Sequence, residues 1–275
     1  MLETVVGIEV HAELSTKSKI FCSCENKFGG EPNTRCCPVC LGLPGALPVL
    51  SREAVRLCII AGFAMNCEIS ETVKMARKNY FYPDLPKGYQ ITQDETPLCK
   101  NGFIKLSNGR KIRIERIHIE EDAGKLIHDD DPTLTFIDYN RCGVPLIEIV
   151  TKPDIRSTDE AREFFDKIKT LLKFTGVSDC KMQEGSLRCD VNVSVKDLSE
   201  ERYRPRVEYK NINSFGAALR AIGYEAKRQM EIYEKGEAVE PATMKWDDVK
   251  GEGLLLRSKE NAADYRYFPE PDIPK

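Results

Sequence analysis

Four cysteines in two close pairs form the clearest metal-binding pattern in the sequence. The pairs are Cys22 with Cys24 and Cys37 with Cys40, and the loop between them contains glycine and proline. This spacing suits a tetrahedral Zn²⁺ ion, because each pair closes a tight turn around one half of the coordination sphere. Four thiolates leave no open ligand position, so the zinc would be structural. The alternative is free thiols in an ordered loop, and Cys36 is a spare thiol in either case.

A second candidate site is built from carboxylates on predicted strands. Glu148 lies inside the apolar stretch VPLIEIV, where an unpaired carboxylate would cost on the order of several kcal/mol, so it needs a cation, an Arg or Lys, or a metal as its partner. Glu9 and His11 share one face of an otherwise apolar strand, and Asp190 lies on a different predicted strand. Carboxylates together with one imidazole are suited to bind a Mg²⁺ ion that also has phosphate ligands.

The alternative to a Mg²⁺ site is that these carboxylates form ordinary ion pairs on a solvated face of the sheet. We favour it for three glutamates: Glu13, Glu115 and Glu120. Basic residues complement the acidic set, since Lys78 precedes an aromatic loop and Arg188 and Lys210 lie on polar strand segments. Such groups can bind phosphates or a carboxylate, although each alone is more often a solvated charge.

The composition limits the class of protein. With 275 residues, 41% hydrophobic residues and a net charge of −3, the chain can build a core, and a generally basic nucleic-acid-binding surface is excluded. We find no apolar run of the roughly 18 residues that a membrane span needs, and no secretory signal. The eleven cysteines then indicate a reducing compartment, and we expect a cytoplasmic protein. P-loop, Rossmann, metalloprotease and serine-hydrolase motifs are missing, so any ATP would bind in a sheet cavity with Mg²⁺.

Hydrophobic periodicity predicts the elements that position these residues. Residues 4–14 and 187–196 alternate as half-buried strands, and a change of parity near Glu115 or Arg116 predicts a β-bulge. Helices are predicted from about Ser51 to Met65, after the capping residues 157–159, and from Ser214 to Lys235. Strands and helices do not alternate regularly, which favours an α+β fold with a mainly antiparallel sheet flanked by helices.

Eight segments in order resemble the B subunits of aspartyl/glutamyl-tRNA amidotransferases. They are GIEVHAEL (7–14), the cysteine-rich text of 37–50, RKNYFYPDLPKGYQI (77–91), HIEEDAGK (118–125), GVPLIEIVTKPDI (143–155), MQEGSLRCDVNVS (182–194), YKNINSF (209–215) and DYRYFPEPD (264–272). The resemblance implies a glutamine-synthetase-like cradle over residues 1–275, with a zinc-knuckle loop at 20–42. It also implies that the family's C-terminal helical domain and tRNA-binding tail are not in this sequence.

The resemblance implies a reaction as well. ATP phosphorylates the side-chain carboxylate of Glu-tRNA(Gln) or Asp-tRNA(Asn), and ammonia then displaces the phosphate to give the amide. The ammonia comes from an amidase (glutaminase) partner, the A subunit of the same heterotrimer. The third member of that complex is the small C subunit.

The resemblance also implies roles for individual residues. It assigns His11, Glu121 and Glu148 as Mg²⁺ ligands, and Glu9 and Asp190 as further acids at the same site. It assigns phosphate and substrate contacts to four residues: Lys78, Arg188, Asn192 and Lys210. Tyr80 and Tyr82 would stack on the adenine of ATP or of the tRNA end, or would be ordinary core aromatics. Zinc is implied only for part of the family.

Two hypotheses of different classes follow. The first is an ATP-dependent ligase, and the second is a non-catalytic, zinc-stabilised scaffold that binds tRNA or partner subunits. Glu148 favours the first, because a scaffold does not need a carboxylate inside an apolar strand.

Overall fold

The computed structural model describes residues 2–131, 133–200, 202–212, 214–258 and 264–275. Within these ranges the chain has an α+β fold, with three α-helices and a large mixed sheet. Among the described residues, none of the three helices combines the length and the apolar composition that a membrane span requires.

The described strands, in chain order, are β1 (Leu2–Glu13), β2 (Glu68–Ile69), β3 (Ala76–Asn79), β4 (Tyr89–Thr92), β5 (Cys99–Lys105), β6 (Lys111–Glu121), β7 (Lys125–His128), β8 (Thr135–Asp138), β9 (Pro145–Thr151), β10 (Leu187–Asp197), β11 (Val207–Ile212), β12 (Ala242–Asp247), β13 (Glu252–Ser258) and β14 (Phe268–Pro269). Nine of them form the large sheet in the order β13-β12-β11-β10-β1-β9-β6-β5-β2. Among the described pairs only β11 and β12 run parallel, which makes a mainly antiparallel sheet mixed. Two smaller sheets have the orders β14-β3-β4 and β7-β8.

The three predicted helices are confirmed, and each begins close to its predicted start. They are α1 (Arg52–Ala64), α2 (Thr158–Phe174) and α3 (Phe215–Glu234). Each begins after a serine, namely Ser51, Ser157 or Ser214, whose hydroxyl accepts a backbone N–H of the first turn. Such a bond satisfies one of the amide groups that a helix start leaves unpaired.

The period of two in β1 separates a core face from a polar face. Val6, Ile8 and Val10 are buried in the core with residues of the three helices, whereas Glu9 and His11 point to the other face and are half-buried. The helices therefore pack on the apolar face of the sheet. The opposite face is left to carry polar side chains.

The predicted bulge in β6 is confirmed and redirects its side chains. The register of β6 against β9 shifts between Ile114 and Arg116. After this point Ile117 and Ile119 continue into the core, so the alternating residues face the polar side. The bulge thus decides which of the acidic residues at the end of β6 reach the polar face.

Candidate metal and phosphate site

Cross-strand register assembles one row of ionisable side chains on the polar face of the sheet. His11 on β1 lies opposite Glu148 on β9, and Glu148 lies opposite His118 on β6. Adjacent strands are about 4.8 Å apart, so these chain-distant residues become neighbours. Arg188 on β10 extends the row, because it is the register partner of His11 on the other side of β1.

Glu120, two residues after His118, completes what we call the acidic group: His11, Glu120 and Glu148. The Nε2 atom of His11 lies 3.7 Å from an oxygen of Glu120 and 3.7 Å from an oxygen of Glu148. Donor atoms of all three residues lie within 4.8 Å of one another. Glu120 is buried, so the expectation of a solvated ion pair is wrong for this residue. It holds for Glu115, which pairs with Lys152 at a half-exposed position.

His118 compensates the charge of the two carboxylates. Its Nε2 lies 3.1 Å from Glu148 and 3.7 Å from Glu120. Burial alone would lower the pKa of His118, but its hydrogen bonds to these carboxylates raise the pKa to about 9. Burial likewise acts to raise the pKa of Glu148, yet the hydrogen bond from His118 holds it well below its usual value.

The acidic group fits a divalent cation. Two ligands of one Mg²⁺ ion lie roughly 3–4 Å apart, comparable with the 3.7 Å separations around His11. The set offers two carboxylates and one imidazole, and hard cations bind carboxylate oxygens. The buried Nδ1 atom of His118, beside the acidic group, has no hydrogen-bond partner among the described residues.

Glu121 is not part of this group, although the resemblance implies that it is a ligand. Its side chain turns to the other side of β6, where the ammonium of Lys87 contacts both carboxylate oxygens. The backbone N–H of Ile91 also donates to it, at 2.8 Å. In the structure, Glu120 and not Glu121 is therefore the neighbour of His11 and Glu148. Since successive strand residues face opposite sides, the parity after the bulge could have indicated this, and also His118, which was not predicted from the sequence.

A second set of acidic residues lies next to the acidic group and is already paired with the ammonium group of a lysine. Glu9, Asp190 and Glu208 bring oxygens within 4.8 Å of one another, and Glu9 is the register partner of Asp190. The ammonium of Lys210 lies 3.3 Å from Asp190 and 3.1 Å from Glu208. Burial would lower the pKa of Lys210, but the charges of these two carboxylates raise it above its usual value. Asn192 donates to Glu9 at 3.1 Å, which fixes that carboxylate.

The other residues predicted to contact phosphate, substrate or adenine differ in their surroundings. Arg188 forms an ion pair with the buried carboxylate of Asp122, at 3.0 Å. The ammonium of Lys78 lies 4.6 Å from the ring centre of Tyr265 and 5.9 Å from that of Tyr80. Tyr82 is 61% exposed, which rules out the alternative of a core aromatic for this residue.

A cleft of about 320 Å³ opens beside the two acidic sets. Its lining includes Gly7, Glu9, Arg116, Asn192 and Arg206. Neither arginine was predicted from the sequence. Arg116 has the parity of His118, so the alternation after the bulge could have indicated it, whereas Arg206 precedes its strand and gives no local signal. Guanidinium groups that line a cleft beside the acidic residues are suited to bind phosphate or carboxylate oxygens.

The four predicted cysteines come together, as the spacing indicated. The sulfur atoms of Cys22, Cys24, Cys37 and Cys40 all lie within 4.8 Å of one another, and those of Cys37 and Cys40 are 3.9 Å apart. Four sulfurs at about 2.3 Å from a tetrahedral ion would be roughly 3.8 Å apart, so the group could bind a metal ion such as zinc. A hydrogen bond with Cys22 lowers the pKa of Cys40 to about 4, against the effect of burial, and the charge of Lys19 acts in the same direction.

Comparison with known proteins decides the family. The family model described as the GatB/GatE catalytic domain matches residues 4–275. The chain belongs to the GatB/GatE catalytic domain family.

Relatives of this family are similar over nearly the whole chain. A protein of Caldicellulosiruptor saccharolyticus is 61% identical over 275 residues, which are 99% of this chain and 57% of that relative. A protein of Symbiobacterium thermophilum is 56% identical over 280 aligned positions, again 99% of this chain and 57% of the relative. Each is named as the B subunit of an aspartyl/glutamyl-tRNA(Asn/Gln) amidotransferase. The family resemblance found in the sequence is thereby confirmed, and the chain spans little more than half the length of these GatB/GatE relatives.

Proposed function

We propose that this chain is the ATP-dependent catalytic domain of a tRNA amidotransferase. In the proposed reaction the side-chain carboxylate of Glu-tRNA(Gln) or Asp-tRNA(Asn) attacks the γ-phosphorus of ATP, and ADP leaves. Ammonia then attacks the activated carbonyl carbon, phosphate leaves, and the amide is formed. The observation that carries the proposal is the acidic group, in which donor atoms of two carboxylates and one imidazole lie close together on the polar face of the sheet.

In this proposal the acidic group holds Mg²⁺, which when bound would neutralise phosphate charge and orient the transferring group. His118 keeps the two carboxylates in place, by a hydrogen bond to Glu148 and by ion pairing with Glu120. The second acidic set, Glu9 with Asp190 and Glu208, is organised by Lys210 and Asn192 rather than left as a bare anionic patch. Arg116 and Arg206, which line the cleft, bind the phosphate oxygens or the substrate carboxylate.

The proposal includes the partners and the wider fold. A glutaminase partner, the A subunit, supplies ammonia and the small C subunit completes the assembly, while the domain itself has the glutamine-synthetase-like cradle architecture. The direct test uses the full-length protein in the reconstituted assembly with misacylated tRNA. We expect one ADP released per amide formed and no amide without ATP. Amide formation that does not need ATP would overturn the proposal.

An aromatic wall beside the acidic group is proposed to stack on an unpaired base. The rings of Tyr80 and Tyr265 are 6.0 Å apart, those of Tyr265 and Tyr267 are 6.2 Å apart, and both pairs are edge to face. The wall flanks the small sheet of β3, β4 and β14, whose Thr92 reaches Glu120 at 3.4 Å. It is therefore close enough to the acidic group to bind the adenine of ATP or of the tRNA end.

We expect Tyr80→Leu to raise the KM for ATP or for the tRNA by about tenfold or more, because base–aromatic stacking contributes about 1–3 kcal/mol. Tyr80→Phe keeps the ring and should leave both values close to wild type. Initial rates with each substrate varied in turn show which one is affected. Unchanged KM values for both substrates in Tyr80→Leu would contradict the stacking role.

The four-cysteine group is proposed to hold one structural zinc ion. We expect about one zinc per chain by metal analysis. Cys37→Ser should lower this content, because it removes one thiolate of the set, whereas Cys180→Ser, which changes a buried cysteine outside the group, should not. A zinc content that Cys37→Ser leaves unchanged would reject the assignment.

A further inference from the structure

Lys19 is a completely buried lysine, with 0% of its surface exposed. Lysine is rarely buried to this extent unless its charge is paired, because removing an ammonium ion from water is costly. Within the described residues, no carboxylate forms an ion pair with Lys19. Its ammonium instead donates to the sulfur of Cys40 at 3.6 Å. The buried charge therefore points at the four-cysteine group and at no acidic side chain of the described chain.

The backbone holds Lys19 in this position. Its N–H donates to the carbonyl of Cys24 at 2.9 Å, and the next N–H, from Ile20, donates to Gly143 at 2.8 Å. Gly143 packs beside both residues: a Cβ atom there would make ordinary van der Waals contact, at 3.7 Å from the Lys19 side chain and 3.5 Å from Cys40. Its φ of 77° also favours glycine. Lys19 is thus fixed between one cysteine pair and the turn that precedes β9.

A metal-bound group of this kind needs positive charge. Four thiolates around one divalent ion carry a net charge of roughly −2, and burial makes that charge costly. Partners that hydrogen-bond to metal ligands tune the affinity of the site, and an ammonium that donates to a sulfur withdraws electron density from it. The four-cysteine group thus supplies the charge that buried Lys19 lacks elsewhere.

We infer that Lys19 is the counter-ion of the thiolate centre, a positioning residue whose ammonium stabilises the metal-bound form of Cys40. This inference rests on the zinc proposal. It assigns Lys19 a role in retaining the metal and in protecting the thiolates from oxidation.

The test compares zinc binding in the full-length protein by chelator competition. Lys19→Met keeps the length and apolar stem of the side chain but removes the charge, and Lys17→Met, at an exposed position two residues earlier, is the control. We expect Lys19→Met to bind zinc about 10- to 100-fold more weakly and to release it faster in hydrogen peroxide. Lys17→Met should match wild type. Equal zinc affinity in Lys19→Met and wild type would overturn the role of Lys19.

A second measurement covers the case in which Lys19→Met does not fold. In wild-type protein loaded with ¹¹³Cd, the ammonium protons of one buried lysine should show a through-hydrogen-bond coupling to the metal, and no coupling would overturn the inference. The two proposals fail separately. Wild-type protein that binds neither zinc nor cadmium refutes the metal site, whereas metal binding without the lysine effect refutes only the counter-ion.

Discussion

Glu148→Gln is expected to abolish ATP-dependent amidation in the assembled enzyme. The amide has nearly the same shape as the carboxylate but lacks its charge, and it can present an NH₂ donor to His118, 3.1 Å away, and to His11, 3.7 Å away. The proposed cation would lose an anionic ligand. Because metal ions contribute on the order of several kcal/mol to the transition state, we expect a loss of about 10³-fold in amidation rate.

The control readout for this variant is glutamine hydrolysis, measured as glutamate release. It should persist, since the proposed glutaminase chemistry belongs to the partner protein. Glu68→Gln, a change at an exposed strand glutamate, should leave both reactions near wild type. Full amidation by Glu148→Gln would remove the proposed mechanism and would favour the non-catalytic scaffold.

Glu121→Gln is expected to destabilise the fold, whereas Glu120→Gln should mainly reduce amidation. Glu121 and Lys87 form an ion pair whose side chains are 3% and 9% exposed. Removing one partner of a buried pair leaves the other charge uncompensated and costs about 3–5 kcal/mol. Glu120, by contrast, shares His118 with Glu148, so neutralising Glu120 leaves the buried imidazole its nearer carboxylate while it removes a cation ligand.

The free energy of unfolding, from urea denaturation of each variant, measures this difference. The double variant Lys87→Met/Glu121→Gln should recover part of the stability, because no unpaired buried ammonium remains. If Glu121→Gln proved as stable as wild type and lost amidation while Glu120→Gln kept it, the assignment implied by the family resemblance would be right. The proposed role of Glu120 as a cation ligand would then be wrong.

Local sequence signals were sufficient for the three helices and for the alternating strands β1 and β10. Serines at 51, 157 and 214 marked the three helix starts, since a helix N-terminus needs a side-chain acceptor. The alternation in β1 and the change of parity in β6 indicated which side chains share a face. The cysteine spacing also predicted that these four thiols lie together, because residues close in the chain can meet without help from the rest of the fold.

What the sequence determined by itself was therefore local: element positions, faces and the four-cysteine group. Only the tertiary structure decided that His11, Glu148 and His118 form one row, because strand register depends on pairings between segments distant in the chain. It likewise decided that Glu120 joins the acidic group while Glu121 pairs with Lys87, and that the buried charge of Lys19 points at Cys40. Local periodicity indicates which face of a strand a side chain takes, but packing between distant segments decides which charge it meets there.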